Sequence, residues 1–199
     1  MNLTMSSLLS LVVETLRNPR EGASAILSMT PPRAVLWQAL ALVVVISVLM
    51  SHGVEALFPP VAGELAGPFS LSPFALVMVQ GGLLLVMVFA TLWIGRALGG
   101  TGSLEETLFL VTWLQFIMIC IQVLQVVALI VMPVFAGIVG IAALALFLWL
   151  FVNFVSVLHG FPSLLLVFVG IVVSAFAVVF GLSLILALIG VTVPGAFDV

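Results

Sequence analysis

Seven polar side chains in the second half of this 199-residue chain have types and spacing that could do chemistry: Glu105, Thr112, Gln115, Gln122, Gln125, Asn153 and Ser156. On a helix of 3.6 residues per turn, Glu105, Thr112, Gln115 and Gln122 fall within an arc of about 100°, with Gln125 just beside it. An amide facing hydrocarbon would go unsatisfied at a cost of several kcal/mol, so the arc is expected to face protein. Two chemistries fit such a stripe. One is a polar path or binding groove at the centre of a helix bundle. The plainer one is interhelical hydrogen bonding, in which each glutamine joins helices at about 0.6 kcal/mol. Asn153 and Ser156 sit one turn apart, with Trp149 on the turn before, and are expected to meet the glutamine stripe and complete a polar seam.

Other reactive side chains are sparse. His52 and Glu55 lie three apart and can share a helix face, but a metal site needs further ligands. The only other histidine, His159, is expected on the opposite side of the membrane, marking an interfacial helix end. Glu105 and Glu106 adjoin a glycine-rich stretch, where acids suit the start of a helix through its dipole. The single cysteine, Cys120, has no partner for an intramolecular disulfide and reads as a small buried hydrophobe. The chain contains no lysine, no His-Glu-x-x-His and no Gly-x-Ser-x-Gly. No enzyme, metal or cofactor is therefore expected.

The elements that must position these residues follow from composition. Hydrophobic residues make up 65% of the chain and charged residues 6%, against roughly 25% charged in an average soluble domain. Only lipid can cover so apolar an exterior, and the apolar runs are too long and unbroken for a transmembrane β-barrel. The expected fold is an all-α, polytopic membrane bundle of five helices. One or two short amphipathic interfacial helices precede it, in a segment over residues 1–32.

In that segment Met5, Leu8, Leu9, Val12 and Leu16 form a helical stripe, with Ser6, Ser7, Ser10, Glu14 and Arg17 opposite. The apolar stretch precedes the charges, which is the wrong order for a signal peptide. Asn18-Pro19-Arg20-Glu21 reads as the capped start of a second short helix, ended by Pro31-Pro32.

The membrane domain occupies residues 33–199, with spans expected at about 34–54, 71–95, 107–132, 134–158 and 163–193. A loop with Glu55, Pro59, Pro60, Glu64 and Pro68 separates the first two. Gly99-Gly100-Thr101-Gly102-Ser103 forms a flexible turn before the third, which Ser103 and Glu106 can cap. No charged residue occurs from Thr107 to Phe197. Within that stretch Pro133, Gly160-Phe161-Pro162 and Pro194-Gly195 supply the breaks.

With the amino terminus cytoplasmic, Arg17, Arg20, Arg33 and Arg96 all fall on that side, and Glu55, Glu64 and Asp198 on the other. The carboxyl terminus then lies outside. In the fifth span Gly170, Ser174, Ala177 and Gly181 recur at helical spacing, as a helix-packing or dimer face. The partners expected are the lipid bilayer, a second copy of the chain, and a protein docking at the amino-terminal segment. Nucleic acid is excluded by a net charge of −3 and the absence of a basic surface.

These features together resemble the Yip1-domain family in its bacterial branch. The resemblance rests on Thr15-Leu16-Arg17-Asn18-Pro19-Arg20, on Gly99-Gly100-Thr101-Gly102-Ser103-Leu104 with Glu106-Thr107-Leu108, and on Leu158-His159-Gly160 before a fifth apolar span. It implies a five-helix membrane domain with a cytoplasmic amino terminus, in a bacterial inner membrane. Eukaryotic members are associated with Golgi and ER membranes, vesicle traffic and Rab-type GTPases. This chain has no tyrosine, so the Asp-Leu-Tyr-Gly-Pro and Gly-Tyr type motifs of those members are absent and GTPase binding does not carry over. The function expected is a non-enzymatic membrane organiser or partner-binding protein. The alternative is a transporter, channel or lipid-moving protein using a polar seam between the third and fourth spans.

Overall fold

The computed structural model describes residues 5–29, 31–58 and 72–188, and every regular element in them is an α-helix. Two short helices come first. α1 (Met5–Arg17) turns Val12 and Thr15 inward, and α2 (Pro19–Ser28) buries Pro19, Gly22, Ala23 and Ile26. Pro19 occupies the first helical position, where its missing N–H costs nothing. Asn18 holds the N-cap position but makes no capping bond with its side chain. Its amide instead donates to Glu21 Oε2 at 3.2 Å, so the expected cap is replaced by a side-chain pair.

Five long helices follow: α3 (Arg33–Leu57), α4 (Pro73–Ala97), α5 (Leu104–Val131), α6 (Pro133–His159) and α7 (Leu164–Leu188). Each is long and apolar enough to cross a membrane. At 1.5 Å per residue they reach about 37–42 Å, more than the roughly 30 Å hydrocarbon core. The chain is a multi-pass membrane protein. The expected loop residues Pro59, Pro60, Glu64 and Pro68, the expected start of the second span at 71, the closure at Pro194-Gly195 and Asp198 lie outside the described residues.

The helix boundaries have local causes. Ser72 accepts from the Ala75 N–H at 3.3 Å to begin α4. Ser103 and Glu106 form a reciprocal capping box at the start of α5, the arrangement their spacing predicts. A single residue, Met132, separates α5 from α6. Its extended backbone (φ −158°, ψ 102°) suits the residue before a proline, and Pro133 then opens α6. α6 ends on Gly160 at φ 72°, a left-handed turn that a Cβ would strain.

α5 is the axis of the bundle and touches α2, α3, α4 and α6. On one side Leu110, Leu114 and Ile117 join Ala23, Ile26, Leu150 and Phe154 in a core shared with the amino-terminal helices and α6. On the other, Leu108 and Val111 meet Leu36, Leu40, Val44 and Val88 of α3 and α4. α7 packs chiefly on α6. Leu42, Leu49, Val134, Ile141, Phe176 and Phe180 remain exposed, as side chains facing lipid should.

Candidate functional site at the histidine end of the bundle

The seven polar residues do not form one seam. Gln115 donates to Ser47 Oγ at 2.9 Å and Gln122 to Ser51 Oγ at 3.0 Å, which ties α5 to α3 rather than to α6. Gln125 reaches the Ala136 carbonyl at 3.4 Å, just across the Met132 turn. Thr112 bonds the Leu108 carbonyl of its own helix. Glu105, at the helix end, lies 3.7 Å from Arg33 as an exposed ion pair. Asn153 donates to the Trp149 carbonyl at 2.8 Å, and Ser156 donates to the Phe161 carbonyl while accepting from Arg20 at 3.3 Å. The expected meeting of the stripe with Asn153 and Ser156 is therefore not made. Spacing fixes which residues share a helix face, but not which neighbour that face meets.

The small residues of α7 also divide. Gly170 and Ser174 line a groove facing α4, whereas Ala177 is exposed and Gly181 half-buried. A Cβ on Gly170 or Gly181 would meet nothing within 4 Å among the described residues, so neither makes a close helix contact with them. His52 and Glu55 stand 3.5 Å apart near the end of α3, the opposite end of that helix from Arg33. Cys120 is half-buried against the α5–α6 core.

The most constrained chemistry gathers around His159, the last residue of α6 and only 3% exposed. Its Nδ1 lies 3.3 Å from the Gly102 N–H and its Nε2 lies 3.1 Å from the Thr91 carbonyl. An N–H can only donate and a carbonyl can only accept. The ring is therefore neutral with its proton on Nε2, and both nitrogens are satisfied.

Glycine makes this approach possible. A Cβ on Gly95 or Gly100 would overlap the imidazole, and one on Gly102 would lie 2.8 Å from Leu158 Cγ. Phe161 stacks on the ring at 5.5 Å. The Gly99–Ser103 stretch, expected as a flexible turn, is held by specific bonds. The Gly100 N–H bonds the Gly95 carbonyl at 2.8 Å, and Arg96 Nε bonds the Gly102 carbonyl at 2.9 Å. The missed signal was in the sequence: a lone histidine among apolar residues needs partners, and three nearby glycines offer backbone without side chains.

The amino-terminal helices lock onto the same end. Trp113 Nε1 donates to Thr15 Oγ1 at 3.3 Å, while the Thr15 hydroxyl itself donates to the Leu11 carbonyl. Gly22 lies so close to Thr15 that a Cβ there would fall 2.7 Å from the Thr15 Cα, so α2 crosses α1 at this glycine. Arg20 then reaches Ser156 near the end of α6. Three separated stretches, Thr15–Arg20, Thr91–Trp113 and Ser156–Phe161, are joined here by the bonds Trp113–Thr15, Arg20–Ser156, Gly102–His159 and His159–Thr91.

These stretches hold the motifs on which the sequence resemblance rests, and the Yip1 domain model matches residues 13–187, from late α1 to the end of α7. The chain belongs to the Yip1 domain family. Neither the comparison with curated proteins nor that with solved structures gave a match. In this Yip1 domain the histidine end acts as a clasp. With both ring nitrogens engaged and the ring buried, His159 has no nitrogen left for proton transfer to a ligand. Among the described residues, no three His, Cys, Asp or Glu side chains gather as a metal site.

Proposed function

We propose that this Yip1 domain protein is a non-enzymatic organiser of the membrane, which presents α1 to a protein partner at the arginine-bearing end of the bundle. That end is cytoplasmic, and the membrane is the inner membrane of a bacterium. The observation that carries the reading is the contrast between the two faces of α1. One is clamped to the bundle through Thr15 and Trp113. The other leaves Leu9 49% and Val13 48% exposed, one turn apart and in line with Arg17.

A helix held by its inner face presents its outer face already ordered, so a partner loses little conformational freedom in binding it. The rest of the polar inventory supports a structural role. Gln115 and Gln122 are used by Ser47 and Ser51, which takes from a permeation track the amides it would need. A photo-crosslinking side chain at Ser10, in the full-length protein in native membranes, should capture a discrete protein adduct. Leu9→Glu with Val13→Glu should abolish that adduct. Adducts with lipid alone would overturn the reading.

A further inference from the structure

An open concavity lies between α4 and α7, with α6 as its floor. It has a volume of about 850 Å³. Met87, Ala90 and Ile94 form one wall, Leu166 and Gly170 the other, and Phe151 lies at the base. The polar residues lining it are Thr91, Ser163 and Ser174, the first two near the His159 end. Gly95 joins the groove to the histidine clasp, since it lines the one and abuts the other.

Such a groove does not stay empty or fill with water. Unfilled apolar volume of this size is costly, and water needs polar partners that these walls do not supply. The open side is continuous with the lipid-facing surface of the bundle, where Leu83 is 59%, Val173 61% and Val179 62% exposed. The α7 wall from Ser163 to Val179 extends about 24 Å at 1.5 Å per residue. One leaflet contributes about 15 Å of hydrocarbon. A chain entering at the His159 end thus traverses its leaflet without leaving the groove. Two of the three lining hydroxyls, Thr91 and Ser163, lie at the mouth, and the shaft beyond them is hydrocarbon apart from Ser174. Met87 and the leucines add side chains that adapt to an irregular occupant.

We propose that the α4–α6–α7 groove is a binding site for the acyl portion of one phospholipid from the leaflet at the His159 end, with its headgroup at Pro162 and Ser163. The hollow exists because Gly170 and Ser174 place so little side chain on the α7 wall. A Cβ at Gly170 meets nothing within 4 Å, so a larger side chain there grows first into the space of the groove. Gly137 on α6 has equally open surroundings but lies outside the groove, and so serves as a control.

The test is native mass spectrometry of the full-length protein released from nanodiscs of phosphatidylcholine and phosphatidylglycerol. Wild type should retain one phospholipid. Gly170→Phe, and Ala90→Phe from the opposite wall, should each lower that occupancy about tenfold, the effect of a modest steric penalty. Gly137→Phe should behave as wild type. Wild type without retained lipid, or equal retention in all four proteins, would overturn the site. So would efficient disulfide formation between copies carrying Gly170→Cys and Cys120→Ser in intact membranes, because a second chain would then fill the groove.

Discussion

Replacing His159 by alanine removes the acceptor of the buried Gly102 N–H and empties the space between three glycines. The expected cost is about 2–4 kcal/mol, from the cavity and the unsatisfied donor together. Gly95→Ala acts on the same contact from the other side, since its methyl overlaps the ring, and overpacking of this kind costs about 1–3 kcal/mol. The two changes should not add. In the double variant the alanine methyl enters space that the ring has left, so the combined cost should fall short of the sum by at least about 1 kcal/mol. Reversible unfolding in detergent micelles measures all four corners of this cycle, and an additive result would mean that ring and glycine are not in contact. Gln115→Leu makes a smaller point, because a bond between membrane helices is worth about 0.6 kcal/mol. Stability should drop by that order while vesicle permeability to ions stays unchanged, whereas altered flux would restore the stripe as a solute path. The sequence shows the face on which Gln115 and Gln122 lie, because a period of 3.6 sets it. It conceals their partners, because Ser47 and Ser51 of α3 compete on equal terms with Asn153 and Ser156 of α6 until the packing of the helices is known.

α2 is packed into the core through Ala23 and Ile26, whereas α1 meets α2 closely at the Gly22–Thr15 crossing, so a single change there should part the two helices. Gly22→Val drives a branched side chain into Thr15, which also accepts the Trp113 indole bond. Arg17 and Arg20 already have exposed side chains, and separation of the two helices should let the backbone around them unravel for trypsin, since cleavage follows local opening. Wild type should be cut slowly there and Gly22→Val at least about tenfold faster, corresponding to a loss of local stability near 1.4 kcal/mol. Trp113→Phe keeps most of the ring but loses the hydrogen bond, and should give an intermediate rate. Cleavage unchanged in both would show that α1 is held by something other than this crossing. Much at this scale is legible from the chain. The amphipathic stripe of α1, Pro19 as the first residue of α2, and the Ser103–Glu106 box are local patterns with local causes. The docking of α2 against α6 is not legible, because Arg20 and Ser156 lie 136 residues apart and nothing in either segment names the other. The glycines between Gly95 and Gly102 mislead for a related reason. Glycine permits both a loose turn and a tight one, and only the histidine pressed against them decides which.

Across the whole molecule, five apolar runs and the breaks between them are enough to give the bundle, since lipid permits few alternatives to closed helices. What the fold adds is that all four arginines share one end. Arg17 and Arg20 flank the α1–α2 turn, Arg33 pairs with Glu105 at the start of α5, and Arg96 bonds Gly102 beside the histidine clasp. Glu14, Glu21, Glu105 and Glu106 stand at that end too, so its formal charges cancel. Orientation is nevertheless governed by the arginines, because acidic residues contribute little to the bias. The bundle should therefore insert with the His159 end in the cytoplasm and the His52–Glu55 end outside. Cysteine placed at Ser24, exposed on α2, and at Glu55, exposed near the end of α3, tests this in a Cys120→Ser background. A membrane-impermeant maleimide should label Glu55→Cys in intact cells and Ser24→Cys only after permeabilisation. The reverse pattern would put α1 on the outer face. It would thereby remove cytoplasmic partners from consideration and place the headgroup end of the lipid groove in the outer leaflet.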